Sequence, residues 1–337
     1  MHLKGKKILK AAITAVGGYT PKTILSNHKL ETMVDTSDEW IQSRTGIKER
    51  RILLDDDKAT SYLAIKAAKD LLNKKNTSAN TIDLVIVATV TPDLHVAATA
   101  AYVASSIGAK NAFAYDLNAA CSGFLYGMSV AAAYVSSGRY KKVLLIGADK
   151  MSSIVDYTDR TTCIIFGDGG GAVLFEPSLN ENGWEDEYFR SDGSDRMSLR
   201  IKAGGSLHPA SKDTLEKGWH NIHQDGKTVF KYAVSEMSAV TKEIMKRNEL
   251  DNESIDYLVP HQANKRIIDA TTQRLDLNPN KVMMNIEYYG NTTAATLPLL
   301  LNDYENKLNI GDKLVFAAFG GGFTWGAAYL TWAYQIK

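Results

Sequence analysis

Ile82-Asp83-Leu84-Val85-Ile86-Val87 is echoed further along the chain by Ile255-Asp256-Tyr257-Leu258-Val259. Each is an Ile-Asp followed by a run short enough for a strand and apolar enough to be covered on both faces. The echo extends outward. Cys121 lies 38 residues after Asp83, and Asn291 lies 35 after Asp256. An apolar helix follows each, then a Lys-led strand: Lys142-Val143-Leu144-Leu145 in one case, Lys313-Leu314-Val315-Phe316 in the other. Glycines come next, Gly167-Asp168-Gly169-Gly170-Gly171 and Gly320-Gly321-Gly322. The pattern is that of two similar halves meeting near residue 180, with special residues at equivalent places.

Other apolar runs, Val143-Leu144-Leu145-Ile146-Gly147, Ala172-Val173-Leu174-Phe175 and Leu314-Val315-Phe316-Ala317-Ala318, also read as covered strands. Segments 59–73, 97–107, 122–137, 229–247 and 265–275 carry a helical period. Strands alternating with helices predict an α/β fold with a largely parallel sheet. The halves are expected at 1–180 and 181–337. Residues 180–226 break the rhythm. They are polar and glycine-rich, and read either as an insertion covering a site or as a surface loop.

At 337 residues the chain has room for about two structural units. Hydrophobic residues make up 45% and charged residues 23%, enough apolar material for a large core. The net charge of +1 argues against a nucleic-acid or membrane-surface protein, though it leaves room for a local patch. Two cysteines, Cys121 and Cys163, form neither a disulfide framework nor a CxxC pair, so no metal site is expected. No apolar run approaches the length of a membrane helix. Lys4-Gly5-Lys6-Lys7-Ile8-Leu9-Lys10-Ala11-Ala12-Ile13 reads as a first strand rather than a signal peptide, because Lys10 interrupts it. The expected location is cytoplasmic.

Four positions stand out chemically. Cys121, in Asn118-Ala119-Ala120-Cys121-Ser122-Gly123-Phe124, falls where a strand gives way to a helix. Unpaired N–H groups at a helix start favour a thiolate, so Cys121 is either a nucleophile or a small buried hydrophobe. His261, in Val259-Pro260-His261-Gln262-Ala263-Asn264, follows a strand end, where ligands sit in open α/β sheets. It could donate to an oxyanion or move a proton. His2, His28, His95, His208, His220 and His223 have no motif around them and read as surface or core-satisfied residues. Asn291, before Thr292, is either an N-cap or an uncharged amide donor. Gly320-Gly321-Gly322-Phe323-Thr324-Trp325-Gly326 lets backbone N–H groups approach a ligand closely, and lacks the spacing of phosphate or dinucleotide loops. Gly167 to Gly171 reads as a packing turn.

At these residues the chain resembles the β-ketoacyl-acyl-carrier-protein synthase III family, the initiating condensing enzymes of bacterial fatty acid synthesis in the thiolase-like superfamily. The resemblance runs nearly end to end. It is carried by Asp35-Thr36-Ser37-Asp38-Glu39-Trp40-Ile41, Arg44-Thr45-Gly46-Ile47, Ala119-Ala120-Cys121-Ser122-Gly123-Phe124, Phe166-Gly167-Asp168-Gly169, Val259 to Asn264, Gly290-Asn291-Thr292 and Phe319 to Gly326. It implies a five-layered α-β-α-β-α sandwich of two duplicated βαβαβαββ halves, and a homodimer. It implies an acyltransferase with no permanently bound cofactor. Cys121 would take an acyl group from acyl-CoA, and malonyl-acyl carrier protein would lose CO2 and attack the acyl-Cys121 thioester. His261 and Asn291 would hold the decarboxylation enolate, the N–H groups of Cys121 and Gly321 the acyl-transfer oxyanion, and Phe319 would stand beside the decarboxylation site. Asn291 as third partner separates this family from thiolases, elongating synthases and hydroxymethylglutaryl-CoA synthases. The Trp40 and Arg44 context separates it from chalcone synthase-like enzymes.

The same resemblance assigns Trp40 and Arg160 to the CoA adenine, Thr36 and Arg44 to the nucleotide end and Asn264 to the pantetheine end. An aromatic face and a guanidinium suit a base and its phosphates. Lys265, Arg266 and Arg274, with Lys231 nearby, match the docking helix for the acidic carrier protein, although one basic position is Gln273 here. Val96 replaces a Phe that limits the acyl pocket across the dimer, which implies primers bulkier than acetyl. The competing readings are a papain-like hydrolase, whose Cys, His and Asn come in the same order, a non-catalytic carrier-binding scaffold, and a specialised-metabolism acyltransferase or ketosynthase using another extender.

Overall fold

A computed structural model describes residues 9–336. His2 and the Lys4–Ile8 part of the first-strand reading lie outside the described residues. The first sheet uses β1 (Ala11–Tyr19), β2 (Leu84–Ala88), β3 (Phe113–Leu117), β4 (Val143–Asp149) and β5 (Gly169–Pro177) in the order β1-β5-β4-β2-β3. The second uses β6 (Trp184–Ser191), β7 (Tyr257–Pro260), β8 (Lys313–Gly320) and β9 (Thr324–Thr331) in the order β6-β9-β8-β7. A parallel bridge from Leu258 to Val282 stands where the fifth strand would be. Read from the edge, both sheets run antiparallel, antiparallel, parallel, parallel. The duplication seen in the sequence is therefore a duplication of topology.

Its starting points are chemically alike. Asp83 Oδ2 accepts Lys142 N–H at 2.9 Å, and Asp256 Oδ2 accepts Lys313 N–H at 2.8 Å. Each Ile-Asp thus ties the foot of one strand to the foot of its parallel neighbour.

The seven principal helices are α1 (Asp38–Thr45), α2 (Thr60–Lys75), α3 (Thr99–Ile107), α4 (Gly123–Ser136), α5 (Gly226–Arg247), α6 (Lys265–Arg274) and α7 (Thr296–Tyr304). Strand alternation sorts them into layers. On β4, Leu144 and Ile146 meet α2 and α3 on one face, while Val143 and Leu145 meet α4 on the other. On β8, Leu314 and Phe316 face α4 and α7, while Val315 and Ala317 face α5 and α6. Helices α4 and α7 are thus shared between two sheets. The result is the expected five-layered α-β-α-β-α sandwich.

Three expectations change. The sheets are mixed rather than largely parallel, because β5 and β9 each return antiparallel beside the preceding strand. A strand covered on both faces is apolar throughout whichever way it runs, so its sequence does not reveal direction. The polar stretch from 180 opens with a strand, β6, whose charged residues suit a sheet edge. The remainder holds the pair Leu199–Ile201 and Ile222–Gln224 and the short helix Lys212–Glu216. Gly169 to Gly171 likewise start β5 rather than form a turn. No helix among the described residues is long and apolar enough to cross a membrane.

The layers meet closely where β4 ends. A Cβ on Gly147 would lie 2.2 Å from the carbonyl oxygen of Ala294 in the second half. Gly147→Ala should therefore lower stability by about 1–3 kcal/mol, read as a fall in urea midpoint at unchanged slope. A variant as stable as the parent would show that this contact is loose.

Candidate active site

Cys121 stands in a strained turn. Ala120 has φ +49°, unusual for a residue with a Cβ, and opens the single 3-10 turn Ala120–Ser122 that runs into α4. The turn is tied to the glycine loop. Ser122 Oγ donates to Thr324 O at 2.9 Å, and Thr324 Oγ1 donates to Ala119 O at 2.8 Å. Gly320 comes so near that a Cβ would lie 2.6 Å from Cys121 N. The backbone of Gly320 and Gly321 is thereby held beside that of Cys121.

The second half repeats the turn. Thr293 has φ +55° and opens Thr293–Ala295, which runs into α7. This corrects the expected equivalence: the counterpart of Cys121 is Ala294, 38 residues after Asp256, and not Asn291. Asn291 stands three residues earlier. Its N–H donates to Ile165 O at 2.9 Å, and its carbonyl accepts from Gly167 N–H at 3.1 Å. Its Oδ1 accepts Thr293 N–H at 2.8 Å. The amide oxygen is thus fixed by the chain, which leaves Nδ2 as the side chain's donor.

His261 follows β7 directly. Its ring is 1% exposed, Nδ1 lies 2.7 Å from Thr296 Oγ1, and Nε2 is buried without a partner. Burial pushes the imidazole down to about 3, so it is neutral at ordinary pH. Gln262 anchors the motif beneath it, accepting Asn285 and Ile286 N–H groups at 3.1 Å each.

Cys121, His261, Asn291, Phe319 and Gly321 line one cavity of about 780 Å³. Trp40, Arg44, Asn264 and Arg266 line it as well. So do Arg200 and Lys227, which sequence reasoning missed. The lining among the described residues holds four cations and no carboxylate. The near-zero net charge of the chain conceals this basic cavity. Asn264 is also the N-cap of α6, accepting Arg266 N–H at 2.8 Å.

Other expected residues lie outside that lining. Arg160 stacks directly on Trp40, 4.6 Å from the ring centroid, with Asp35 3.5 Å away. Thr36 keeps a buried hydroxyl without a partner. Lys265 is paired with Asp269 at 2.6 Å, whereas Lys231 and Arg274 are exposed. Val96 is fully exposed, with φ +75°.

Asp149, at the end of β4, was also missed. It is wholly buried. Oδ1 accepts from the hydroxyls of Thr89 and Thr91 and the N–H groups of Val90 and Thr91, at 2.7–3.1 Å, and Oδ2 accepts Ala294 N–H at 3.1 Å. The available signal was a charge closing an apolar strand.

The thiol departs from expectation too. Cys121 is 7% exposed, and burial, then the Asp149 charge, push it up to about 12 against the pull of its backbone N–H. The resting residue is a thiol rather than the thiolate a helix start would favour.

The models of 3-oxoacyl-[acyl-carrier-protein] synthase III and of its C-terminal part match residues 115–193 and 245–332. The β-ketoacyl-[acyl-carrier-protein] synthase III 2 of Bacteroides thetaiotaomicron is 53% identical over 329 residues, 98% of each chain. The synthase III of Chlorobium chlorochromatii is 56% identical over 96% of this chain and all of its own. The chain belongs to the 3-oxoacyl-[acyl-carrier-protein] synthase III family. It is a condensing acyltransferase. The crystal structure of the family's Aquifex aeolicus member superimposes with a TM-score of 0.87, at 40% identity over 96% of this chain and all of that one.

A thiol held this high has a measurable signature. Iodoacetamide alkylation of Cys121, with Cys121→Ser reporting the Cys163 background, should accelerate about tenfold per pH unit without a plateau up to about pH 9. A plateau below about pH 8 would mean that the helix end outweighs burial.

Proposed function

We propose that this enzyme condenses an acyl-CoA primer with malonyl-acyl carrier protein, giving a 3-oxoacyl-acyl carrier protein, CoA and CO2, through an acyl-Cys121 thioester. The supporting observation is the convergence of Cys121, a donor amide on Asn291 and an unpartnered Nε2 on His261 in one basic cavity. In the first half-reaction Cys121 Sγ attacks the thioester carbonyl, its proton leaves with the CoA thiol, and the oxyanion lies against the N–H groups of Cys121 and Gly321. In the second, malonyl-acyl carrier protein loses CO2 and its thioester oxygen takes the charge. His261 and Asn291 donate to that oxygen. The carbanion then attacks the acyl-Cys121 carbonyl, the C–S bond breaks to release the product, and the Cys121 thiolate takes a proton from solvent to return to the thiol. Two neutral donors suit this role, because a dry site strengthens a dipole aimed at developing charge.

Trp40 and Arg160 would take the CoA adenine between them once the guanidinium swings off the indole. Arg44, Arg200, Lys227 and Arg266 would meet its phosphates, with Asn264 along the pantetheine. Arg266, Arg274, Lys231 and Lys265 form the docking face for an acidic carrier protein, with Lys265 partly neutralised by Asp269. A homodimer is supported by the exposed apolar residues Leu94, Val96, Tyr102 and Phe113 beside the edge strand β3. We place the enzyme in the cytoplasm, with fatty acid initiation as its role.

Intact mass after incubation with a panel of acyl-CoAs tests this directly. The protein should gain one acyl group, lose it when malonyl-acyl carrier protein is added, and gain nothing as Cys121→Ser. Loading without discharge would indicate an acyltransferase or another extender. No loading by the folded protein would sink the condensation.

The small Val96 bears on the primer. If the exposed Val96 reaches the acyl pocket across the proposed dimer, kcat/KM for isobutyryl- and isovaleryl-CoA should exceed that for acetyl-CoA by about tenfold, the scale set by one or two methylenes in an apolar pocket. Equal or better use of acetyl-CoA would refute the assignment.

A further inference from the structure

The proposed enolate site requires His261 to present a proton, not a lone pair, to the cavity. A neutral imidazole carries one N–H and one lone pair, and the partner of the inner nitrogen decides which nitrogen has which. Burial keeps this ring neutral. Its inner nitrogen, Nδ1, meets only the hydroxyl of Thr296, at 2.7 Å. That hydroxyl has one proton and two acceptors in reach, His261 Nδ1 at 2.7 Å and Thr293 O at 3.1 Å.

The distances discriminate between them. Hydroxyl donors to oxygen centre at about 2.7–2.8 Å, and N–H donors to oxygen at about 2.9–3.0 Å. A 2.7 Å contact fits O–H donating to Nδ1 better than Nδ1–H donating to the hydroxyl. The contact to Thr293 O is long for a hydroxyl bond. A lone pair on Nδ1 leaves the ring proton on Nε2, the atom that is buried without a protein partner beside Cys121 and Asn291.

We propose that Thr296 is a positioning residue for the condensation: by donating its hydroxyl proton to Nδ1 it holds His261 in the Nε2–H tautomer, and so makes it a donor to the enolate rather than a base toward Cys121. The proposal rests on the enolate role of His261 given above. Thr296 touches neither nucleophile nor reacting atoms. It is the first residue of α7, and the strained turn at Thr293 delivers it to the ring. The opposite tautomer would set a lone pair against a developing oxyanion.

Two measurements on the full chain test it. In protein with 15N-labelled histidines, long-range proton–nitrogen correlation reads the tautomer of each ring, and His261→Ala assigns the signal. The wild type should show protonated Nε2 and bare Nδ1 at His261 from about pH 6 to 9, and Thr296→Val should lose that pure signature. Kinetically, Thr296→Val should slow malonyl-acyl carrier protein decarboxylation by acyl-loaded enzyme about 10²-fold, the scale of one lost oxyanion donor. Cys121 loading from acyl-CoA should stay within about threefold, since its oxyanion uses backbone donors. Thr296→Ser, which keeps the hydroxyl, should restore both the signature and the rate.

Protonated Nδ1 in the wild type would overturn the proposal. So would undiminished decarboxylation by folded Thr296→Val, or parallel loss of both half-reactions that Thr296→Ser does not repair, the mark of a merely structural residue. A wild-type ring with protonated Nε2 in an enzyme that never decarboxylates malonyl-acyl carrier protein would support the tautomer assignment while refuting the reaction.

Discussion

The site depends on a buried carboxylate. Asp149, fully buried, gathers five donor bonds, two from threonine hydroxyls and three from backbone N–H groups. Four come from residues 89–91, just beyond β2, and the fifth from Ala294 in the other half. Without the carboxylate the N–H groups of Val90 and Ala294 would lose their partner, which typically costs about 1–3 kcal/mol each for a buried donor, a large share of what a domain can spare. Burial pushes Asp149 up to about 6, and the N–H groups of Val90 and Ala294 and the hydroxyls of Thr89 and Thr91 work against that rise. The carboxylate thus fixes the strand ends of one half against the turn Thr293–Ala295 of the other, and Gly147 provides the clearance for that approach.

The same buried interior sets the charge state of everything near it. It raises the Cys121 thiol to about 12 and lowers the His261 imidazole to about 3, so both are neutral at rest. The charges lie elsewhere: cations along the cavity, neutral dipoles at its floor. Such layering would draw the anionic substrates of the proposed reaction inward by the field of the lining and leave the buried end free to respond to charge that appears only during reaction. The two shifted acids and bases also pull stability in opposite directions with pH. Below its ordinary 6.5 the unfolded chain protonates His261, and the folded chain does not until about 3, so that contribution is whole above 6.5 and drains as pH falls. Between about 6 and 3.8 the folded chain holds a proton on Asp149 that the unfolded chain has released. That contribution favours the fold at low pH and is lost as pH rises through about 6. Between 4 and 6 the two oppose each other.

What could be read in advance was whatever is local. Cys121 between a strand and a helix, His261 past a strand end and the triple glycine are statements about neighbours in sequence, and Cys121, His261 and Gly321 line the cavity. The paired Ile-Asp runs survive as strand feet with the same hydrogen bonds. Strand direction could not be read, because burial on both faces erases the alternation that would mark it. The strand Trp184–Ser191 was hidden for the opposite reason, since an edge position tolerates charge. Asp149 showed only as a charge closing an apolar strand, and Thr296 could not be singled out at all. Thr296 is one threonine among several, and only folding brings its hydroxyl, 35 residues away in sequence, onto the imidazole.

The offset between Cys121 and Asn291 shows how the duplicated unit has been divided between chemistry and support. Both halves keep a positive φ before a single 3-10 turn, and both turns feed a central helix. In the first half the turn carries the thiol. In the second the same place carries Ala294, whose methyl can do no chemistry but whose N–H bonds Asp149. The next helix then starts at Thr296, within reach of His261. Asn291 is left outside the turn, where backbone bonds to Ile165 and Gly167 attach it to the first half and Thr293 orients its amide. A strained turn costs about 1–3 kcal/mol wherever it occurs. Its retention at a position without a nucleophile follows from the three contacts it makes there, to the carboxylate, the imidazole and the amide.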